Sequence, residues 1–273
     1  MAEAVIRWTL YIAALVVVGP IAGGLAAMNQ AADGSEGTIL LSRAPVLGVV
    51  GLAGGGTLAA ILGAVSARFC GARAGLTTAG IVLAWMAGRT ASTAEIIRAQ
   101  GTGPWTSLVI EGVLVAVMLA GVGAAIGVLA KPVEAQHGVE AERGVALSGR
   151  SALAIAAAVV AGGALVWVFA VTPLKGQAIA AAGLAAVGLT LVVRVIDRAT
   201  PALGAVLACA VLAVAGPAFA LATVPPGDAL AASYAQQLPA VSRPTPLDWS
   251  AGALLGIPIG LAWAASILKR ADA

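Results

Sequence analysis

The chain reads as an all-α, polytopic integral membrane protein, a bundle of eight transmembrane helices. Three observations predict this class. Of 273 residues, 60% are hydrophobic and 10% are charged, whereas a soluble domain carries roughly 25% charged residues. The apolar residues fall in runs of about 20, the length that crosses a bilayer as a helix. Within those runs there is no period-2 alternation, so barrel strands are excluded. A continuous run in hydrocarbon must satisfy its own backbone, which leaves the helix.

The first span covers 5–27. It is longer than the 7–15-residue core of a cleaved signal, so it is expected to stay. A polar loop over 29–43 follows, with Asp33, Gly34, Glu36 and Gly37. The second span, 45–67, ends in the basic turn Arg68-Phe69-Cys70-Gly71-Ala72-Arg73. The third, 75–97, is the most polar. After an apolar first half it carries Arg89, Thr90, Ser92, Thr93 and Glu95, and Arg98 follows its end. Gly101, Gly103 and Pro104 then break the helix.

The fourth span, 105–130, closes at Lys131 and Pro132. A polar loop to Arg150 contains the single histidine, His137. The fifth span, 151–172, and the sixth, 177–196, are joined by a tight turn at Pro173, Leu174, Lys175 and Gly176. The seventh, 201–223, opens on Pro201, whose missing N–H costs nothing in a first turn. Five prolines (Pro225, Pro226, Pro239, Pro244 and Pro246) make 224–248 a loop with at most two surface turns over 230–238. The eighth span is 249–268. The whole forms a single transmembrane domain.

Charge sets the expected orientation. With the N-terminus inside, ten cations lie inside: Arg7, Arg68, Arg73, Lys131, Arg143, Arg150, Arg194, Arg198, Lys269 and Arg270. Five lie outside: Arg43, Arg89, Arg98, Lys175 and Arg243. That asymmetry satisfies the positive-inside rule and puts both termini in the cytoplasm. Omitting the third span would leave seven against eight and remove the bias, so eight spans are expected. High alanine, glycine and arginine use points to a GC-rich bacterium, hence a bacterial cytoplasmic (inner) membrane.

Glycines at four-residue spacing mark helix-packing positions: Gly19 with Gly23, Gly51 with Gly55, and Gly252, Gly256 and Gly260. Gly54, Gly55 and Gly56 are expected to lie in a flexible but continuous helix against a bulky neighbour, the alternative being an unwound segment at a substrate site. The tryptophans at span ends (Trp8, Trp105 and Trp249) are expected to anchor at the interface.

Few chemistries survive inspection. Cys70 and Cys209 lie far apart in apolar or juxtamembrane sequence, and one histidine makes a histidine-rich metal or bis-histidine haem site untenable. No phosphate loop, nucleophile elbow, metal-spaced carboxylate pair or dense basic cluster occurs. No catalytic residue, metal ligand, cofactor or nucleic-acid surface is therefore assigned.

One constellation bears weight, because ionisable groups inside a membrane are expensive and usually functional or paired. Arg89 stands eight residues before the outer end of the third span, about 12 Å deep at 1.5 Å per residue. Glu111 lies six residues into the fourth, about 9 Å deep from the same side. The two are expected to meet as an ion pair, with Ser92 and Thr93 on Arg89's face and Glu95 and Arg98 nearer the surface.

The first reading is a non-catalytic subunit of a membrane complex. The second is a small-molecule or ion permease using the Arg89/Glu111 pocket. The third is a lipid-modifying enzyme, which would need a second acid or base such as Glu95 beside Glu111. Expected partners are the lipid bilayer and either other membrane proteins or a second copy of the chain.

Overall fold

A computed structural model describes residues 2–31, 34–100, 103–131, 145–225 and 227–271. The loop that holds His137 lies outside the described residues. The described chain is helical, with no strand beyond an isolated bridge between Gln30 and Glu36. The elements are α1 (Ala2–Ala26), α2 (Pro45–Cys70), α3 (Ala72–Ala87), α4 (Thr93–Gln100) and α5 (Trp105–Leu129). Then come α6 (Gly149–Phe169), α7 (Lys175–Ile196), α8 (Ala202–Thr223), α9 (Ala229–Tyr234) and α10 (Pro246–Ala271). Seven of these (α1, α2, α5, α6, α7, α8 and α10) are long and apolar enough to cross a membrane.

The third expected span, a single helix over 75–97, is not what forms. α3 ends at Ala87, and α4 begins only at Thr93. The cause is local hydrogen bonding. The Thr90 hydroxyl donates to the Ala87 carbonyl at 2.9 Å, which satisfies an end of α3. Ser92 and Glu95 then make a reciprocal capping box: Ser92 N–H donates to Glu95 Oε2 at 2.7 Å and Glu95 N–H to Ser92 Oγ at 3.4 Å. Serine followed three residues later by glutamate starts a helix, and here it starts α4. With 16 residues, α3 is about 24 Å long, short of a ~30 Å hydrocarbon core.

α1 is widened at its centre by a π-helical turn over Ala14–Val18. Pro20 has no N–H to continue the regular ladder, and Gly19 N–H bonds back to Ala14 instead. The wide turn sits beside Trp85, whose indole occupies the space a Cβ on Gly19 would need.

Glycines decide how closely the helices approach. A Cβ on Gly252 would fall 2.6 Å from the Gly183 nitrogen, and one on Gly256 would overlap the Gly183 oxygen. Gly260 meets Thr190 and Val187 in the same way, so α10 and α7 run backbone to backbone. Gly51 meets Leu25 of α1, Gly55 takes the Met86 thioether of α3, and Gly56 takes Met118 of α5. The Gly54, Gly55 and Gly56 segment stays helical. Such contacts let dispersion hold helices that lipid does not drive together.

The loops gather at two ends. At the first, which also carries the start of α1 and the end of α10, Cys70 Sγ lies 3.7 Å from the Glu3 carbonyl. Lys131 N–H donates to the Ala67 carbonyl at 2.9 Å there. Arg150 Nε donates to the Ile196 carbonyl at 3.0 Å. At the second end the loops fold into a cap. Ala91 N–H donates to Gly37 O at 3.1 Å, and Thr93 Oγ1 donates to the Ser242 carbonyl at 3.0 Å. A small second core fills the cap, including Ile96, Ile97, Trp105, Leu108, Ala229 and Leu238. The segment after α8 is thus ordered by α9 and a 3-10 turn over Ala240–Ser242 rather than lying loose on the surface.

This cap overturns the interfacial expectation for two tryptophans. Trp105 and Trp249 are each 1% exposed, covered by the cap and the bundle, whereas Trp8 does face outward at 61%.

Candidate functional site

The cap end concentrates the buried charge. Lys175, in the first turn of α7, is anchored from three elements. Its Nζ lies 2.9 Å from Asp248 Oδ1 of α10. It donates to Thr90 Oγ1 at 2.9 Å, to the Ala91 carbonyl at 3.1 Å and to Thr245 Oγ1 at 3.3 Å. Asp248 is itself part of a capping box, with Thr245 N–H donating to its Oδ2 at 2.8 Å and its own N–H to Thr245 Oγ1 at 3.4 Å. The carboxylate is fully buried. Sequence alone does not mark this pair, because each member stands just outside an expected span, in the first turn of the helix that forms. The signal that was there is threonine followed three residues later by aspartate, a helix start at 245–248.

Glu111 is 1% exposed. No salt bridge to it exists among the described residues. Its neighbours come from the loop after α1. Leu40 N–H donates to Oε2 at 3.4 Å, long for such a bond. The Thr38 side chain and the Ile39 backbone also face the carboxylate. Glu111 Oε1 nevertheless has no hydrogen-bond partner among the described residues, and neither does Thr38 Oγ1. The positive charge acting on Glu111 is Lys175, already neutralised by Asp248.

The expected Arg89–Glu111 pair does not form. Arg89 follows the end of α3 in a turn and is exposed. Its side chain passes Gly23 of α1 and lines an open cleft of about 380 Å³ with Leu15, Ile81, Trp85 and Leu255. Equal depth on adjacent helices says nothing about direction around the helix axis, and the end of α3 at Ala87 turns Arg89 away.

The other four candidates lie at this end with separate partners. Ser92 and Glu95 cap α4. Thr93 is shared between the Ser242 and Arg243 carbonyls, 3.0 Å from each. Arg98 donates to Ser233 Oγ at 3.2 Å and to the Ser233 carbonyl at 3.1 Å, with its guanidinium 4.7 Å from the Tyr234 ring centre. Glu95 is committed to its own helix start and supplies no acid or base to Glu111.

Arg243 is a further cap residue. It donates to the carbonyls of Ala170 at 2.6 Å, Gln236 at 2.9 Å and Leu238 at 3.3 Å, and to Val171. Burial pushes its guanidinium pKa down. It edges an open cleft of about 580 Å³ that includes Trp167, Phe219 and Gln237. Its donors are nearly all spent on carbonyls, so it reads as a clasp between the cap and the end of α6.

What this arrangement can do is limited. Cys70 and Cys209 are both free, and no cluster of three metal-ligating side chains occurs among the described residues. Among the described residues, Glu111 is a buried ionisable group with an oxygen that has neither a hydrogen bond nor a cation; the neutral Asn29 Oδ1, Thr38 Oγ1 and the Trp105 and Trp249 indole nitrogens are also unpartnered. No family model, no curated protein and no solved structure matches the chain.

Proposed function

We propose that the chain is a membrane permease for a small ion, with Glu111 as the group that handles it. The observation that carries this reading is the buried carboxylate with one oxygen left unpartnered and no cation in salt-bridge reach among the described residues. A charge placed there at such expense is either paired or used, and its neighbours do not pair it. The site differs from the Arg89/Glu111 pocket expected from sequence: Thr38, Ile39 and Leu40 face Glu111, Lys175 adds positive potential, and Arg89 lies outside. In this reading α3 completes an eighth crossing. The basic end with both termini faces the cytoplasm of a bacterial inner membrane, and the cap faces out. Cysteines placed at Gly149 and Gly227, with Cys70 and Cys209 replaced by alanine, test the orientation. Membrane-impermeant reagent added to intact cells should label position 227 and spare position 149; the reverse overturns it.

Function is tested in proteoliposomes carrying a potential-sensitive dye, with imposed gradients of H⁺, Na⁺ or K⁺ as probes. Wild type should discharge at least one gradient, and Glu111→Gln should hold it. Liposomes that hold every gradient with either protein reject the permease reading.

A second reading, a non-catalytic subunit of a larger membrane assembly, is favoured by α1. Its first twelve residues, Ala2–Ala13, bury no side chain, and Val5, Trp8 and Ile12 face outward. A photoreactive residue at Trp8 should then cross-link a stoichiometric partner chain, or a second copy, in native membranes. Cross-links to lipid alone favour the permease.

A further inference from the structure

We propose that Glu111 and Thr38 form a proton-binding site, in which Glu111 Oε1 takes up a proton and donates it in a hydrogen bond to Thr38 Oγ1. The inference rests on the permease reading above and names its ion. Two atoms carry it. Glu111 Oε1 and Thr38 Oγ1 are both buried, they belong to side chains that face each other, and neither makes a hydrogen bond of good geometry to a described residue. With no cation in salt-bridge reach, a proton on the carboxyl removes the uncompensated buried charge and gives the pair a second O–H donor beside the Thr38 hydroxyl.

The balance is simple. A proton arriving from water at the cap end bonds to Oε1, and the carboxylate becomes a neutral carboxyl. Its O–H donates to Thr38 Oγ1, while Oε2 keeps the Leu40 N–H. On release the proton returns to water, and the Thr38 hydroxyl rotates to donate to the carboxylate. Counting Glu111, Asp248 and Lys175, the cluster carries one net negative charge when Glu111 is ionised and none when it is protonated.

A metal cation fits less well. Divalent hard cations take six or more oxygens, whereas the buried oxygens left unpartnered on this loop and on Glu111 are one carboxylate oxygen, the Thr38 hydroxyl and the Asn29 amide oxygen. The Leu40 N–H points its positive end at the same carboxylate, and Lys175 adds positive potential. Both disfavour a bound cation, whereas a covalently held proton needs only the one oxygen.

The surrounding charges do not compete. α2 carries Arg68 and Cys70 at the opposite end, and α8 carries only Cys209, in the bundle core. α3 carries Arg73 at its far start, with Arg89 turned outward beyond its end. α10 brings Asp248, which faces Lys175. Of the loop cations, Arg43 is exposed at its side of the loop and Arg243 is held by carbonyls.

The test is infrared difference spectroscopy of the purified full-length protein in lipid, titrated between acid and alkaline buffers in H₂O and D₂O. Wild type should show a buried carboxylic C=O band that grows on acidification and shifts in D₂O. Glu111→Gln should lose this band. The amide introduced by Glu111→Gln imitates the protonated form, its N–H donating to Thr38, so this variant should fold. Thr38→Val keeps the volume and removes the acceptor; it should retain the band but move it to the frequency of a free carboxyl. The same preparations in liposomes with an internal pH dye should show proton flux in wild type and none in Glu111→Gln. No titrating band in folded wild type, or a band unchanged in both variants, overturns the proton site. Discharge of a Na⁺ or K⁺ gradient without proton flux overturns the proton site and leaves the permease standing. A Glu111 band that titrates without flux of any probe ion does the reverse.

Discussion

Two buried carboxylates stand at opposite ends of the bundle, and their surroundings differ. Asp197 follows the last residue of α7 at the end that carries the start of α1 and the end of α10, and its oxygens are filled. Oδ2 accepts from Ser151 Oγ at 2.9 Å and from Thr200 Oγ1 at 2.8 Å, and Oδ1 accepts from Ala199 N–H at 3.1 Å. Arg194 donates to the Thr200 carbonyl at 2.8 Å and holds the same turn. Glu111, at the cap end, has one long bond on Oε2 and, among the described residues, nothing on Oε1. Burial alone therefore does not identify a functional acid. Asp197 is buried and spent on structure, joining α6, α7 and α8 through three short bonds. Glu111 is buried and unspent.

The contrast sharpens most at the ion pair beside Glu111. Lys175→Met strands a fully buried Asp248 carboxylate, and removing one partner of a buried pair costs about 3–5 kcal/mol. Thermal unfolding in mild detergent should show it as a large drop in Tm. Adding Asp248→Leu should recover much of that loss, since the stranded charge goes with it.

Asp197→Ala comes next. It leaves the Ser151 and Thr200 hydroxyls and the Ala199 N–H without their acceptor, at about 1–3 kcal/mol for a buried group left unsatisfied. The same thermal scan reads it.

Glu111→Gln should have the opposite sign or none: Tm at or slightly above wild type, within about 1 kcal/mol, because a neutral amide removes an uncompensated charge and keeps its bonds. A loss as large as that of Asp197→Ala would make Glu111 structural and erase the difference between the ends.

The pH dependence separates the ends further. The Thr200 hydroxyl, with help from Ser151 and against the pull of burial, holds the Asp197 carboxyl below its usual range. The stability it contributes is present above the ordinary carboxylate pKa, about 3.9. It is lost as pH falls through the lower folded value. Acid unfolding below that ordinary value should therefore weaken in Asp197→Asn relative to the neutral-pH baseline of the same variant. The smallest effect is assigned to Arg89→Gln: exposed, with no salt bridge among the described residues, it should stay within about 0.5 kcal/mol.

Much of the fold was legible because hydrophobic length is a strong signal. Seven helices of membrane length fall where the apolar runs are, and the glycine series in α10 meets a close neighbour at every member. The single third helix expected over 75–97 does not form because the Ser92–Glu95 capping box starts a new helix, a signal that apolar length does not carry. The polar site was legible only in part. Glu111 stood out as an acid in an apolar run. Its surroundings come from a loop 71 residues earlier at Leu40 and from the potential of Lys175, which opens α7 just before the expected sixth span. Depth along a helix can be counted from sequence. Direction around it, and the folding of loops over its end, depend on packing that no single segment encodes.

The difference between the two carboxylates is tested most directly by paired melting curves of Glu111→Gln and Asp197→Asn, in the same detergent at neutral pH. Asp197→Asn is predicted to lower Tm, while Glu111→Gln leaves it unchanged or raises it. Equal drops in both variants would contradict the claim that Glu111 is held free for use.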